Sequence, residues 1–196
     1  DRDDANLLRA QFSGQPVCIA NGVNVEQVLS VRNVNMATGN ISFDGTVKID
    51  GEVMAGMKVN VTGDIIVSGV VDGAELTANG DIRVGGGIIA KARVCAGGSV
   101  TARFVENAHI VAGTTIAVED TVLQSDLQAN NQILVGTKST QRGRLAGGSA
   151  RAMMLIHTPI LGSSSGGLTS VLVGVNPVLE ARHHDLLHKI DRLREE

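Results

Sequence analysis

Residues 45–102 read GTVKIDGEVMAGMKVNVTGDIIVSGVVDGAELTANGDIRVGGGIIAKARVCAGGSVTA, and an aliphatic residue returns in them every five or six positions. Continued to Val135, the marks are Val47, Val53, Val59, Ile65, Val71, Leu76, Ile82, Ile88, Val94, Val100, Val105, Ile110, Ile116, Val122, Leu127 and Ile133. Three marks make one turn of seventeen or eighteen residues. A unit that short, rich in strand-type residues and without a helical stretch, cannot bury its own apolar face. Stacked on its neighbours it can, so the spacing predicts an all-β, three-sided parallel β-helix, or β-solenoid.

The rows Gly45-Thr46-Val47-Lys48-Ile49, Gly63-Asp64-Ile65-Ile66-Val67, Gly80-Asp81-Ile82-Arg83-Val84 and Gly98-Ser99-Val100-Thr101-Ala102 repeat one pattern. Two apolar residues in each row point inward and the residue between them, Lys48, Ile66, Arg83 or Thr101, points out. Gly45, Gly51, Gly63, Gly69, Gly80, Gly86 and Gly98 precede marks by two residues and are the predicted corners, where glycine reaches positive φ most readily. Rows 114–118 and 131–135 keep the alternation with Thr114 and Asn131 in the glycine position, and the register is least determined there. Outward Ile66 and Leu134 are unusual for a solvated face and suggest contact with another segment. Five coils are recognisable in this stretch, a column of about 24 Å at about 4.8 Å per coil.

Three segments follow: an irregular capping segment over 1–38, the solenoid over 39–176 and a helix over 177–196. In the first, Leu29 lies eighteen residues before Val47, so a less regular coil can begin there. After Ile133 the period loosens. Lys138, Arg142, Arg144 and Arg151 form a basic run without aromatic partners or a P-loop pattern, which reads as a solvated loop. Met153 to Ile156 and Ile160-Leu161 can continue the coil, and Leu168 to Val175 reads as a strand. From Pro177 the period changes: Leu179, His183, Leu186, Ile190 and Leu193 fall on one helix face. That helix looks like the start of a coiled coil, and because an isolated helix of this length is marginal, it needs a partner. Leu179, Leu186, Ile190 and Leu193 are the candidate protein-interaction residues.

Composition agrees with a thin-coiled stack. Aromatic residues are 2% of the chain (Phe12, Phe43 and Phe104), and the 24 glycines are spaced rather than clustered. The net charge of −3 gives no reason to expect nucleic acid or an anionic membrane as partner. Cys18 and Cys95 stand in unrelated contexts and read as reduced thiols, Cys95 facing outward. No signal peptide or membrane-spanning run is visible, and the abrupt ends suggest a fragment of a longer protein.

The run Thr38-Gly39-Asn40-Ile41-Ser42-Phe43-Asp44-Gly45, the Gly-Asp-Ile rows, residues Gly98 to Ala108, and Val173-Gly174-Val175-Asn176-Pro177 before a charged helix together resemble the flagellar assembly protein A family, in the family's order, over roughly residues 15–196. The resemblance implies a β-solenoid followed by a coiled-coil region, in a bacterial cytoplasmic protein tied to flagellar assembly or placement. Differences from the family are the missing glycines before Ile116 and Ile133, a weak match over Arg144 to Ser165, and the absence of the family's N-terminal domain and most of its coiled coil. The period is common to both hands of coil. A right-handed one is expected by similarity to other three-sided cytoplasmic solenoids.

The expected function is non-enzymatic: a scaffold or regulator that docks flagellar or signalling proteins, with a C-terminal helix open to homo-oligomer formation, in the cytoplasm or at the cell pole. No cofactor, metal, small-molecule substrate, nucleic acid or membrane insertion is expected. A self-assembling, bactofilin-like solenoid is the alternative, and terminal capping segments argue against it. A hexapeptide-type acyltransferase ranks below both. Its chemistry uses a histidine base, and His109, beside inward Ile110, has no obvious orienting carboxylate in the sequence. His184 and His188 are four apart but lack a third ligand of fixed geometry, and Asp44-Gly45, Asp50-Gly51 and Asp72-Gly73 read as ordinary turns.

Overall fold

A computed structural model describes residues 14–20, 22–138, 141, 143–164 and 167–174, together with 182–183, 186–187, 189–190 and 192. Two strands at the start, β1 (Gln15–Ile19) and β2 (Gly22–Glu26), form a separate antiparallel hairpin. From Val28 onward the pairing becomes parallel, and each turn of chain lays its strands onto those of the turn before. Three ladders result.

The first ladder contains β3 (Val28–Val31), β5 (Thr46–Ile49), β7 (Ile65–Val67), the first parts of β10 (Ile82–Ile89) and β12 (Val100–Glu106), β14 (Thr115–Val118), β16 (Gln132–Val135) and β18 (Leu155–His157). A second runs from the bridges at Val34 and Val53 through β8 (Val71–Asp72) and the ends of β10 and β12. It continues into the starts of β15 (Thr121–Ala129) and β17 (Arg144–Ala152) and finishes at β19 (Ile160–Leu161). The third stacks β4 (Ile41–Phe43), β6 (Lys58–Val61), β9 (Glu75–Ala78), β11 (Arg93–Ala96), β13 (His109–Ala112), the ends of β15 and β17, and β20 (Thr169–Val173). Read down the first ladder, Leu29, Val47, Ile65, Ile82, Val100, Ile116, Ile133 and Ile156 are consecutive partners, so the column has eight coils. Seven spacings of about 4.8 Å put its first and last coils about 34 Å apart.

All sixteen inward marks are buried, none more than 1% exposed. Each buried Val or Ile contributes on the order of 1.5–3 kcal/mol, and the alternation leaves Lys48 and Arg83 in water while Ile66 is half-buried in register between them. Thr114 and Asn131 do not disturb the register. Ile116 pairs with Val100 and Ile133 with Ile116, while the Asn131 N–H donates to Thr114 O at 2.9 Å.

The corner glycines do a different job from the one expected of them. Of the seven, only Gly45 has a positive φ. What the others need is room. A Cβ on Gly86 would lie 2.5 Å from the Gly69 carbonyl oxygen, and one on Gly63 would lie 2.7 Å from that of Gly45. On Gly80 and Gly98 it would strike the carboxylates of Asp64 and Asp81. Those carboxylates explain the Gly-Asp-Ile rows: Asp64 Oδ1 accepts from the Asp81 N–H and Asp81 Oδ1 from the Ser99 N–H, each at 2.8 Å. One coil's side chain satisfies the next coil's corner amide, and glycine leaves it the space.

Positive φ gathers instead at the corner between the second and third ladders: Gly39, Gly56, Gly73, Ala90 and Lys91, Asn107, Gln124, then Gly147 and Gly148. Here Ser125, 1% exposed, donates through Oγ to Leu123 O (2.7 Å) and accepts from the Ala108 N–H (3.1 Å). Ser125→Ala should leave that amide unpaired and cost about 1–3 kcal/mol. Urea titration followed by circular dichroism measures it, and an unchanged midpoint would contradict this role.

Beyond Val135 the coil pattern continues with a detour. Ile133 pairs with Ile156, twenty-three residues on, because extra chain enters after Val135. Gly136 and Gly143 close its base, each too near the other's Cα and the Pro159 ring to carry a Cβ. The basic run is therefore not one loop. Arg144 and Arg151 sit on β17, Lys138 holds Glu119 at 2.6 Å, and Arg142 lies outside the described residues. In the C-terminal segment, residues 182–183, 186–187, 189–190 and 192 have helical backbone.

Candidate functional site

The first outward position of the third ladder is Asn40, Lys58, Glu75, Arg93, His109, Asp126 and Ser149, read down seven successive coils. The pleat sends each of these side chains away from the core because the next residue, from Ile41 to Ala150, points into it. Asn40 Oδ1 accepts from the Lys58 N–H at 2.9 Å. Lys58 Nζ lies 2.8 Å from Glu75 Oε2, and this contact, with Arg93 further off, holds the Glu75 carboxyl below its usual pKa. A carboxyl depressed in this way favours the paired state above its unfolded pKa, and the pairing is lost as pH falls through the lowered value. The pair is exposed and salt screens it.

The left-handed corner runs alongside this row. Most coils meet its conformational demand with glycine, while coils four, five and six use Ala90, Lys91, Asn107 and Gln124. A left-handed backbone costs a residue with a Cβ on the order of 1–2 kcal/mol, asparagine least. Three of these four side chains, Lys91, Asn107 and Gln124, line one hollow of about 260 Å3 with Arg93, His109 and Asp126. A smaller hollow of about 180 Å3 lies next to it, between Lys58, Glu75, Lys91 and Arg93. Together they make a groove along the corner, with Lys91 and Arg93 at its middle.

His109 is exposed, as its position beside Ile110 implies, and Asp126 is its register partner one coil on. The sequence reading missed that carboxylate, because the two residues are brought together only by the stacking. Among the described residues no hydrogen bond joins them, and no group of three His, Cys, Asp or Glu is placed to hold a metal. Cys95 is exposed on the third ladder, and Cys18 is exposed and unpaired. Of the residues proposed for protein contact, Leu186 is 50% and Ile190 44% exposed, while Leu179 and Leu193 lie outside the described residues, as do His184 and His188. The last coil adds exposed Leu155, Ile160, Leu161 and Leu172.

The residues of the larger hollow fall in three pairs two apart in the chain, Lys91 and Arg93, Asn107 and His109, Gln124 and Asp126, and only the stacking of coils brings the pairs together. The signal for them was nevertheless present: Lys58, Glu75, Arg93, His109 and Asp126 recur at intervals of sixteen to eighteen, the same period as the core marks. Outward positions have a column too.

No helix among the described residues is long and apolar enough to cross a membrane. No curated protein and no solved structure matches the chain. A family model described as the flagellar assembly protein A beta solenoid domain matches residues 27–196, beginning one residue before the first parallel strand and spanning all three ladders. With the fold and that match in agreement, the chain belongs to the flagellar assembly protein A β-solenoid family.

Proposed function

We propose that this solenoid serves flagellar assembly or placement as a non-enzymatic docking scaffold, in the bacterial cytoplasm or at the cell pole, with flagellar or signalling proteins as its partners. One observation carries the reading. Inward columns alone make the core, so the outward rows and the corner groove are left to recognition, on a stiff frame that holds them in register. The helical segment supports a second contact: Leu186 and Ile190 present apolar surface suited to pairing with a second copy or a partner helix.

Affinity capture of the chain from a lysate of a flagellated bacterium, beside its mass in solution by light scattering, tests this. A discrete flagellar or signalling protein should co-purify, with the chain itself a monomer or small oligomer. Exposed Leu155, Ile160 and Leu161 on the last coil favour a second reading, end-to-end self-assembly. Large concentration-dependent polymers with no partner would establish that one instead.

A further inference from the structure

We infer that the corner groove is a pocket for an acidic side chain on an extended segment of a partner protein, with Lys91 and Arg93 receiving its carboxylate. This rests on the docking reading and gives the partner a chemistry.

The first support is a charge imbalance. Lys48, Lys58, Arg83, Arg103 and Lys138 each have a carboxylate oxygen within 3.4 Å. Lys91 and Arg93 have no such ion pair among the described residues. Glu75, the register neighbour of Arg93, is already held by Lys58 at 2.8 Å, and Asp126 accepts from Ser149 Oγ at 2.8 Å. The two hollows together thus carry three cations, Lys58, Lys91 and Arg93, against two carboxylates, Glu75 and Asp126, and neither Lys91 nor Arg93 is in direct ion-pair contact with either. The second support is independent of charge. Where other coils put glycine in the left-handed corner, the coils at this hollow put Lys91, Asn107 and Gln124, and so gain side chains that line it. Backbone strain accepted in order to place particular side chains is a mark of functional sites.

The borders of the groove select the ligand. Glu75 at one end and Asp126 at the other would repel a continuous polyanion, as does the net charge of −3, so nucleic acid and an anionic membrane fit poorly. A single carboxylate fits between them. Arg93 can take it through two parallel N–H donors and Lys91 through one, while the Asn107 and Gln124 amides can both donate to and accept from the main chain on either side.

The test uses the isotopically labelled chain and two acetylated peptides of glycine and serine, one with a central glutamate and one with glutamine in its place. In an NMR titration to millimolar peptide, the glutamate peptide should shift the amide resonances of Lys91, Arg93 and Asn107. Its affinity should fall about tenfold or more with the glutamine peptide, with Arg93→Glu and with Lys91→Glu, and stay unchanged with Arg83→Glu on the first ladder. Both groove residues are exposed, and unchanged melting temperatures verify that the variants fold. Equal binding of the two peptides, no shifts, shifts spread over all cationic surfaces, or tighter binding of inorganic phosphate than of the glutamate peptide would each overturn the inference. Capture from lysate separates it from the reading beneath it. If Arg93→Glu still retains the partner in full, the pocket is wrong and docking stands; if the native chain retains none, docking fails whatever the peptides do.

Discussion

Val100→Asp is expected to unfold the central coils and to cost more than about 4 kcal/mol. Val100 is fully buried between Ile82 and Ile116, its partners one coil either side. A carboxylate there has no cation or donor in reach, and its neighbours cannot move away without opening their own coils. Val84→Asp, at 3% exposure on the same ladder, should behave alike. Arg83→Ala, one residue before Val84 on the same strand but pointing outward, removes only an exposed ion pair with Asp81 at 3.3 Å and should change stability by less than about 0.5 kcal/mol. Thermal melts of the three variants check this, and equal losses would contradict the inward and outward assignment. Hydrogen exchange on Val100→Asp should show protection lost first in the adjoining coils, because each coil is held mainly by its two neighbours.

The second large effect separates two accounts of the glycines. Gly86→Ala places a methyl 2.5 Å from the Gly69 carbonyl oxygen and 2.8 Å from its carbon, and backbone can yield only by lifting one coil off the next. The expected loss is about 3 kcal/mol. Gly56→Ala meets nothing within 4 Å but has φ +78°, so it should lose only about 1–2 kcal/mol. Gly22→Ala meets neither obstacle and should stay within about 0.5 kcal/mol of the parent. Denaturant midpoints give the order directly. If Gly56→Ala were the worst of the three, glycine would be serving turn conformation rather than close stacking.

What could be read from the sequence was whatever repeats with the coil. The period from Val47 to Ile133 placed all sixteen of its marks in the core, and Leu29, Ile156 and the strand ending at Val173 extend the same columns at the ends. Harder to read were features set by contact between coils. Gly80 looks like a turn residue along the chain, and only the Asp64 carboxylate below it reveals why a side chain is excluded. Lys91 and Gln124 carried no turn signal, since their left-handed backbone follows the corner they share with Gly56 and Gly73 rather than their own preference. The groove was hidden for a related reason: His109 and Asp126 are seventeen residues apart in sequence and adjacent in register. The extra chain after Val135 breaks the count, so that along the sequence the period loosens where in the fold it is only interrupted.

The eight-coil stack has one further consequence, for how such a molecule can change over evolutionary time. Each coil meets the next through the same set of ladder bonds, so duplicating or deleting one whole coil of sixteen to eighteen residues keeps every remaining neighbour relation. The column then lengthens or shortens in steps of about 4.8 Å. Its reach is graduated rather than continuous. A protein built in this way works as a ruler whose divisions are coils, and relatives that must bridge different distances can differ in coil number while keeping one cross-section.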